Sequence, residues 1–71
     1  MPGYVIVDAS DFKLTIGYSS PEGVDFRGAA EAPGATFRSR TEAEEMAQGL
    51  PVIEFGSGAF EMLKLLAQLA A

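Results

Sequence analysis

Carboxylates provide most of the reactive side chains of this sequence, because its 71 residues include no cysteine and no histidine. Without those residues the usual pairs of a nucleophile and a general base cannot be built, and disulfides and the common zinc sites are excluded. Asp8 and Asp11 flank a predicted turn and could form a pair of carboxylates. Since Asp in a turn usually bonds the local backbone, we expect no catalytic residue and no enzymatic activity.

Two further patterns could hold a ligand, but each has a simpler explanation. Glu42, Glu44 and Glu45 could form a metal-binding cluster, although helix capping accounts for the first two, and adjacent helical residues do not share a face. The Gly-Ser-Gly run at 56–58 lies between a predicted strand and a predicted helix, where backbone amides attract phosphate. It lacks the spacing of the known phosphate-binding motifs. We therefore expect a solvated helix face, a tight turn, and neither metal nor cofactor.

The charge balance is acidic, with five Lys and Arg against ten Asp and Glu and a net charge of −5. Few cations are available to neutralise phosphates, so we do not expect direct nucleic-acid binding. An acidic surface suits solubility or attraction to a basic protein surface. No apolar run approaches the roughly 18 residues of a membrane span, and no secretory signal pattern is evident. These observations predict a cytoplasmic protein without membrane contact.

Apolar periodicity predicts three strands. Residues 4–8 are predicted as a strand because the first four form a continuous apolar run rich in β-branched side chains. Residues 12–18 alternate strictly between apolar and other residues, and the two segments together predict an antiparallel hairpin. Residues 51–55 form the third predicted strand, starting on a proline, which is tolerated at that position. The stretch 19–36 has little regular pattern, although residues 24–26 could add a short edge strand.

The first of two predicted helices has clear signals at both ends. Ser39 with Glu42 fits a capping box, and Thr41 with Glu44 fits the same spacing, so two starting positions remain open. Gly49 provides the left-handed stop. The elements together predict a single α+β domain over residues 1–71, with a mainly antiparallel three-stranded sheet, the order β-β-α-β-α, and both helices packed on one face.

The final helix, which follows the predicted N-cap Ser57, carries more apolar surface than one small domain needs. Its polar residues Glu61, Lys64 and Gln68 fall within an arc of about 60°. Because so short a chain buries only about 60% of its unfolded surface, we expect a two-fold homodimer to stabilise it. The predicted self-association residues are Phe60, Met62, Leu65, Leu66 and Leu69. The alternative is that this helix only covers the sheet and the loops.

Contacts with another protein are predicted in and around the irregular stretch. Arginines and aromatic residues are enriched at interface hot spots, and two of the arginines bracket the start of a helix, where cations are unfavourable. The candidate partner-binding residues are Tyr18, Phe26, Arg27, Arg38 and Arg40. Ordinary placement in the core or on the surface is the alternative for each of them.

The segment from residue 37 to residue 44 reads Phe-x-Ser-x-x-Glu-Ala-Glu and opens the first helix between a hairpin and a closing strand. In size, acidity and β-β-α-β order, residues 4–55 resemble small accessory proteins of bacteriophages and prophages, including some anti-CRISPR and other host-takeover proteins. The resemblance implies that the chain binds a host protein and sterically blocks a surface or an assembly step. It carries over no individual functional residue.

Two functional hypotheses follow. The first is a protein-binding module without enzymatic activity that acts as an inhibitor or adaptor on a host protein. The alternative is a structural homo-oligomer, such as an assembly component, in which the C-terminal helix is entirely a self-interface.

Overall fold

A computed structural model of the protein describes residues 3–10, 13–29 and 35–70, and over these residues the chain forms four strands and two helices. The strands are β1 (Tyr4–Asp8), β2 (Thr15–Ser20), β3 (Gly23–Gly28) and β4 (Val52–Glu54), and the helices are α1 (Arg40–Ala47) and α2 (Gly58–Ala70). The strand order is β3-β2-β1-β4 and every neighbouring pair is antiparallel. β1 is therefore an inner strand that pairs on both sides.

The core is built around β1, whose side chains are buried on both faces of the sheet. Val5 and Ile6 are completely buried and Val7 is nearly so. Successive side chains of a strand point to opposite faces, so the two valines lie on one face and Ile6 lies on the other. The continuous apolar run in the first four residues of β1 is thus the pattern of a strand that is covered from both sides.

Each helix covers a different face of this strand. Ile6 packs in one cluster with Ala43 and Ala47, the two buried residues of α1. The two valines of β1 pack in a second cluster with Phe60 of α2. The sheet therefore lies between the helices, which differs from the expected packing of both helices on one face. The physical reason is that a strand with apolar side chains on both faces leaves one face in water unless the helices separate.

The α+β class and the antiparallel sheet are confirmed, and the sheet has one strand more than expected. β3 pairs with β2 residue by residue along its whole length, and it contains residues 24–26, which we considered only as a possible short strand. A two-residue link at 21–22 joins the two strands, which is the commonest hairpin loop length. The predicted turn at Asp11 and the start of the second predicted strand at Phe12 lie outside the described residues.

Residues 35–37 are inserted between β1 and β2 at one end of the sheet. Beyond the last pair of those two strands, Tyr4 exchanges both backbone hydrogen bonds with Phe37, each 2.9 Å long. The backbone N–H of Ser19 donates to the carbonyl of Ala35 over 3.1 Å. The ring of Phe37 is buried in the cluster under α1. The chain that leads into α1 is therefore anchored to the sheet before the helix begins.

The ends of α1 follow the local sequence signals. The side chain of Ser39 accepts a hydrogen bond from the backbone N–H of Glu42 over 3.1 Å, so Ser39 is the N-cap, and this selects one of the two possible capping boxes. After the last helical residue, Gln48 has a φ of 51° and Gly49 a φ of 95°. These left-handed conformations end the helix and turn the chain toward β4.

The capping assignment predicts that only one of the two candidate caps contributes to stability. We expect Ser39→Ala to lower the free energy of unfolding by about 1 kcal/mol, because it leaves an amide of the first turn without its acceptor. Thr41→Ala is the matched control and should leave stability unchanged or slightly raised, because Thr41 lies inside the helix and Ala has the higher helix propensity. Urea denaturation followed by circular dichroism measures both, and an equal loss in the two variants would contradict the assignment.

Candidate interaction surface

Four large apolar side chains of α2 point away from the rest of the protein. Met62, Leu65, Leu66 and Leu69 are 59%, 57%, 50% and 83% exposed. They recur at the i, i+3, i+4, i+7 spacing, which places them within an arc of about 100° on one side of the helix. We call these four residues the α2 stripe. Among the described residues, the other exposed large apolar side chains are Phe26, Met46 and Leu50, each less exposed than those of the stripe.

The opposite side of α2 holds the helix to the sheet. Phe60 is buried, and its ring centroid lies 4.7 Å from that of Phe55, just after β4. Leu63 and Ala67 are partly buried against the same cluster. The side chain of Ser57 accepts a hydrogen bond from the N–H of Phe60 over 3.3 Å, which caps the helix as predicted. The α2 stripe therefore belongs to a helix whose position is fixed by packing on its other side.

Polar residues border the α2 stripe along one edge. Glu61 and Lys64 lie 4.0 Å apart as an ion pair three residues apart along the helix, and Gln68 continues the same edge one turn later. The ammonium group of Lys64 also lies 5.7 Å from the centre of the Phe60 ring. An exposed apolar patch with a polar rim is typical of surfaces that contact other proteins.

The structure divides the five predicted self-association residues. The four residues of the α2 stripe are exposed and available for contact, whereas Phe60 is only 3% exposed and is part of the core. Phe60 is buried because α2 begins only a few residues after β4 and its first turn packs on the core with Phe55. The alternative, in which the large side chains of this helix cover the sheet and loops, holds for Phe60, Leu63 and Ala67 but leaves the α2 stripe uncovered by the described residues.

The candidate residues for binding another protein are scattered, and two of them have structural roles. Tyr18 is 1% exposed and lies in the core on the α2 side of the sheet, so its side chain does not form part of a contact surface. Arg40 donates from Nη1 to the carbonyl of Val52 over 3.2 Å, and its guanidinium lies 5.3 Å from the centre of the Tyr4 ring. Arg40 thereby ties the start of α1 to both β4 and β1.

The remaining candidates lie on the surface. Arg27 forms an ion pair with Asp25 on β3, with 2.9 Å between Nε and Oδ2, and Arg38 is exposed just before α1. Phe26 is 42% exposed and lies over Gly17 of β2, where a Cβ would come within 2.9 Å of the phenyl ring. Gly17 thus allows Phe26 to lie flat on the sheet instead of standing out from it.

Met46 is an exposed apolar residue that is not among the predicted contact residues. Of the apolar residues in and just after α1, only Ala43 and Ala47 are buried, and Met46 and Leu50 are exposed. The methyl group of Met46 lies close to Gly23, at the start of β3. The small alanines bring α1 so near to the sheet that the larger side chains lie at the margins. Phe26 and Met46 are therefore two exposed apolar side chains on the α1 face of the sheet, near β3.

The carboxylates have local structural roles or lie in solvent. Asp8 accepts a hydrogen bond from the N–H of Ser10 over 2.9 Å, as expected for a turn residue, while Asp11 lies outside the described residues. Glu42, Glu44 and Glu45 are exposed on α1. Within residues 3–10, 13–29 and 35–70, no group of three or more carboxylates is placed to hold a metal ion.

The chain matches no protein-family model, no curated protein and no solved structure. Over the described residues, neither helix combines the length and the apolar character that crossing a membrane would require.

Asp8 allows a prediction about pH. Hydrogen bonds from the side chain and then the backbone of Ser10 hold the pKa of Asp8 below its ordinary value. A carboxyl with a lowered pKa in the folded state stabilises the fold above its unfolded pKa, and this contribution is lost as the pH falls through the lowered value. We expect Ser10→Ala to raise the Asp8 pKa toward the ordinary value in an NMR titration, whereas Ser39→Ala, far from Asp8, should not change it. An unchanged pKa in Ser10→Ala would show that the side chain does not contribute.

Proposed function

We propose that this chain is a protein-binding module without enzymatic activity, and that the α2 stripe is its principal contact surface. The observation that carries the proposal is the exposure of four large apolar side chains on a helix that is already anchored by its other side. Fully burying a Leu or Met side chain contributes about 1.5–3 kcal/mol, so covering the exposed half or more of each would contribute about 1 kcal/mol or more per residue. A partner that covers these side chains would supply this stabilisation.

The finer proposal concerns the target. The resemblance to phage and prophage accessory proteins supports a role as an inhibitor or adaptor that binds a host protein in the host cytoplasm and blocks one of its surfaces. The exposed residues Phe26, Arg38 and Met46 support a target contact on the side of the sheet that faces away from α2. Arg27 follows Phe26 on the same strand but is in register with Ile16, so its side chain lies on the α2 face and outside this contact.

A structural homo-oligomer is the second candidate function. It is supported by the charge of α2, whose only charged residues among those described, Glu61 and Lys64, pair with each other. A helix without net charge can contact copies of itself without repulsion between like charges. Under this proposal the chain would assemble with itself and have no further protein target.

A capture experiment with two tags tests the proposed function. One tagged copy is co-expressed with a second copy carrying a different tag, in cells of the candidate host, and bound proteins are identified after capture through the first tag. We expect the wild-type chain to retain a protein, either the second copy or another protein. The double variant Leu65→Gln, Leu69→Gln should retain at least tenfold less, because Gln keeps helix propensity but removes apolar surface.

The control is Lys13→Gln, which changes an exposed residue just before β2 that is named in neither proposed contact, and it should capture as the wild type does. Circular dichroism establishes that both variants are folded. Equal capture by the stripe variant and the wild type would refute the α2 stripe as the contact surface. Capture of neither the second copy nor any other protein by the wild type would refute the binding function.

A further inference from the structure

We propose that the α2 stripe is covered by a second copy of this chain, in a two-fold pair of antiparallel α2 helices whose axis passes between Leu65 and Leu66. The inference rests on the proposed function, because it names the occupant of the same surface. It goes further by fixing the direction of the two helices and the residues that meet. Two observations support it: the symmetry of the stripe and the distribution of charge.

The apolar positions of the α2 stripe are the same in both directions along the helix. Reversal about the point between Leu65 and Leu66 exchanges these two residues with each other and exchanges Met62 with Leu69. In an antiparallel pair centred at that point, each apolar side chain therefore faces an apolar side chain of the second copy. A two-fold interface requires this kind of self-complementary surface. The two helix dipoles also point in opposite directions in such a pair, so the positive end of each helix lies beside the negative end of the other, which is favourable.

The same reversal separates the charged residues of the two copies. Glu61 comes level with Ala70 of the second copy, and Lys64 comes level with Ala67, so neither charge meets a like charge. Within each copy the two charges already form an ion pair. The interface can therefore form without desolvating an unpaired charge, which would be costly.

The acidic residues of the chain lie mainly elsewhere, and this argues against a basic protein as the occupant of the stripe. Glu42, Glu44 and Glu45 are exposed on α1, which packs on the face of the sheet opposite to α2. A basic partner would be attracted to that side of the molecule. The α2 side, with its balanced charges, is suited to a second copy of a chain whose net charge is −5.

The layer order gives the pair a consequence for target binding. In each copy the sheet separates α1 from α2, so joining two α2 helices produces the layers α1, sheet, α2, α2, sheet, α1. Both α1 faces, with Phe26 and Met46 at their margins, then remain exposed on opposite sides of the dimer. The dimer therefore presents two equal contact faces that point away from each other.

Sedimentation equilibrium of the purified full chain is the first test. We expect a species of twice the 7.5 kDa monomer mass. Leu65→Glu and Leu66→Glu place two carboxylates beside the axis and should raise the dissociation constant at least a hundredfold. Glu44→Gln on α1 is the control and should leave the mass unchanged. A wild-type chain that remains monomeric in the high micromolar range overturns the proposal, as does a Leu65→Glu variant that stays folded and dimeric.

Cysteine cross-linking tests the direction of the helices. Because the sequence contains no cysteine, only the introduced thiols can form a disulfide. Antiparallel helices bring residue 62 level with residue 69 of the second copy, whereas two copies of residue 69 lie about 10 Å apart along the axis, beyond the reach of a disulfide. A mixture of Met62→Cys and Leu69→Cys chains should form the mixed disulfide on mild oxidation. Leu69→Cys alone should not cross-link, and efficient cross-linking of that variant would show a parallel pair and overturn the arrangement.

These results separate the inference from the proposed function. A monomeric chain whose stripe variant loses another captured protein would overturn the second copy as occupant and retain the α2 stripe as a binding surface. A dimer that forms equally well without the stripe, together with unchanged capture of other proteins, would overturn both.

Discussion

Three consecutive residues of β1, Val5, Ile6 and Val7, determine how the rest of the chain is arranged. Because a strand directs alternate side chains to opposite faces, burying all three requires an element on each side of the sheet. The chain meets this requirement with one helix per face, α1 over Ile6 and α2 over the valines. In a domain this small, each helix can therefore bury only one of its sides.

The parts of the fold that depend on local patterns could be predicted from the sequence. The continuous run of β1, the cap at Ser39 and the helix of residues 58–70 all have signals within a few neighbouring residues. β3 and the placement of the helices could not be predicted in the same way. β3 alternates only briefly between glycines, and its pairing with β2 provides the order that its own sequence lacks. Which face a helix covers depends on residues far away along the chain.

In the candidate site, too, some residues could be placed from local patterns, whereas others depend on contacts with residues far away along the chain. The spacing of large apolar residues along α2 predicted a surface beyond the needs of the domain, and four of the five named residues are exposed. Phe60 is also a large apolar residue of α2, but it lies on the side of the helix that packs on the sheet, where its ring contacts Phe55. Tyr18, a predicted contact residue, is directed into the core by the alternation of β2. Met46 lies at the margin of α1 because the helix approaches the sheet closely through its alanines.

The two helices cover β1 with side chains of different size. This difference accounts for the exposed α2 stripe. α1 uses alanines, so it lies close to the sheet and directs its glutamates to solvent. α2 uses Phe60, Leu63 and Ala67 for the same purpose, and those three residues suffice to anchor it. Polar residues on its outer side would make the chain more soluble without loss to the core. Met62, Leu65, Leu66 and Leu69 lie outside both core clusters of the described residues, and this position is the reason for proposing that another protein covers them.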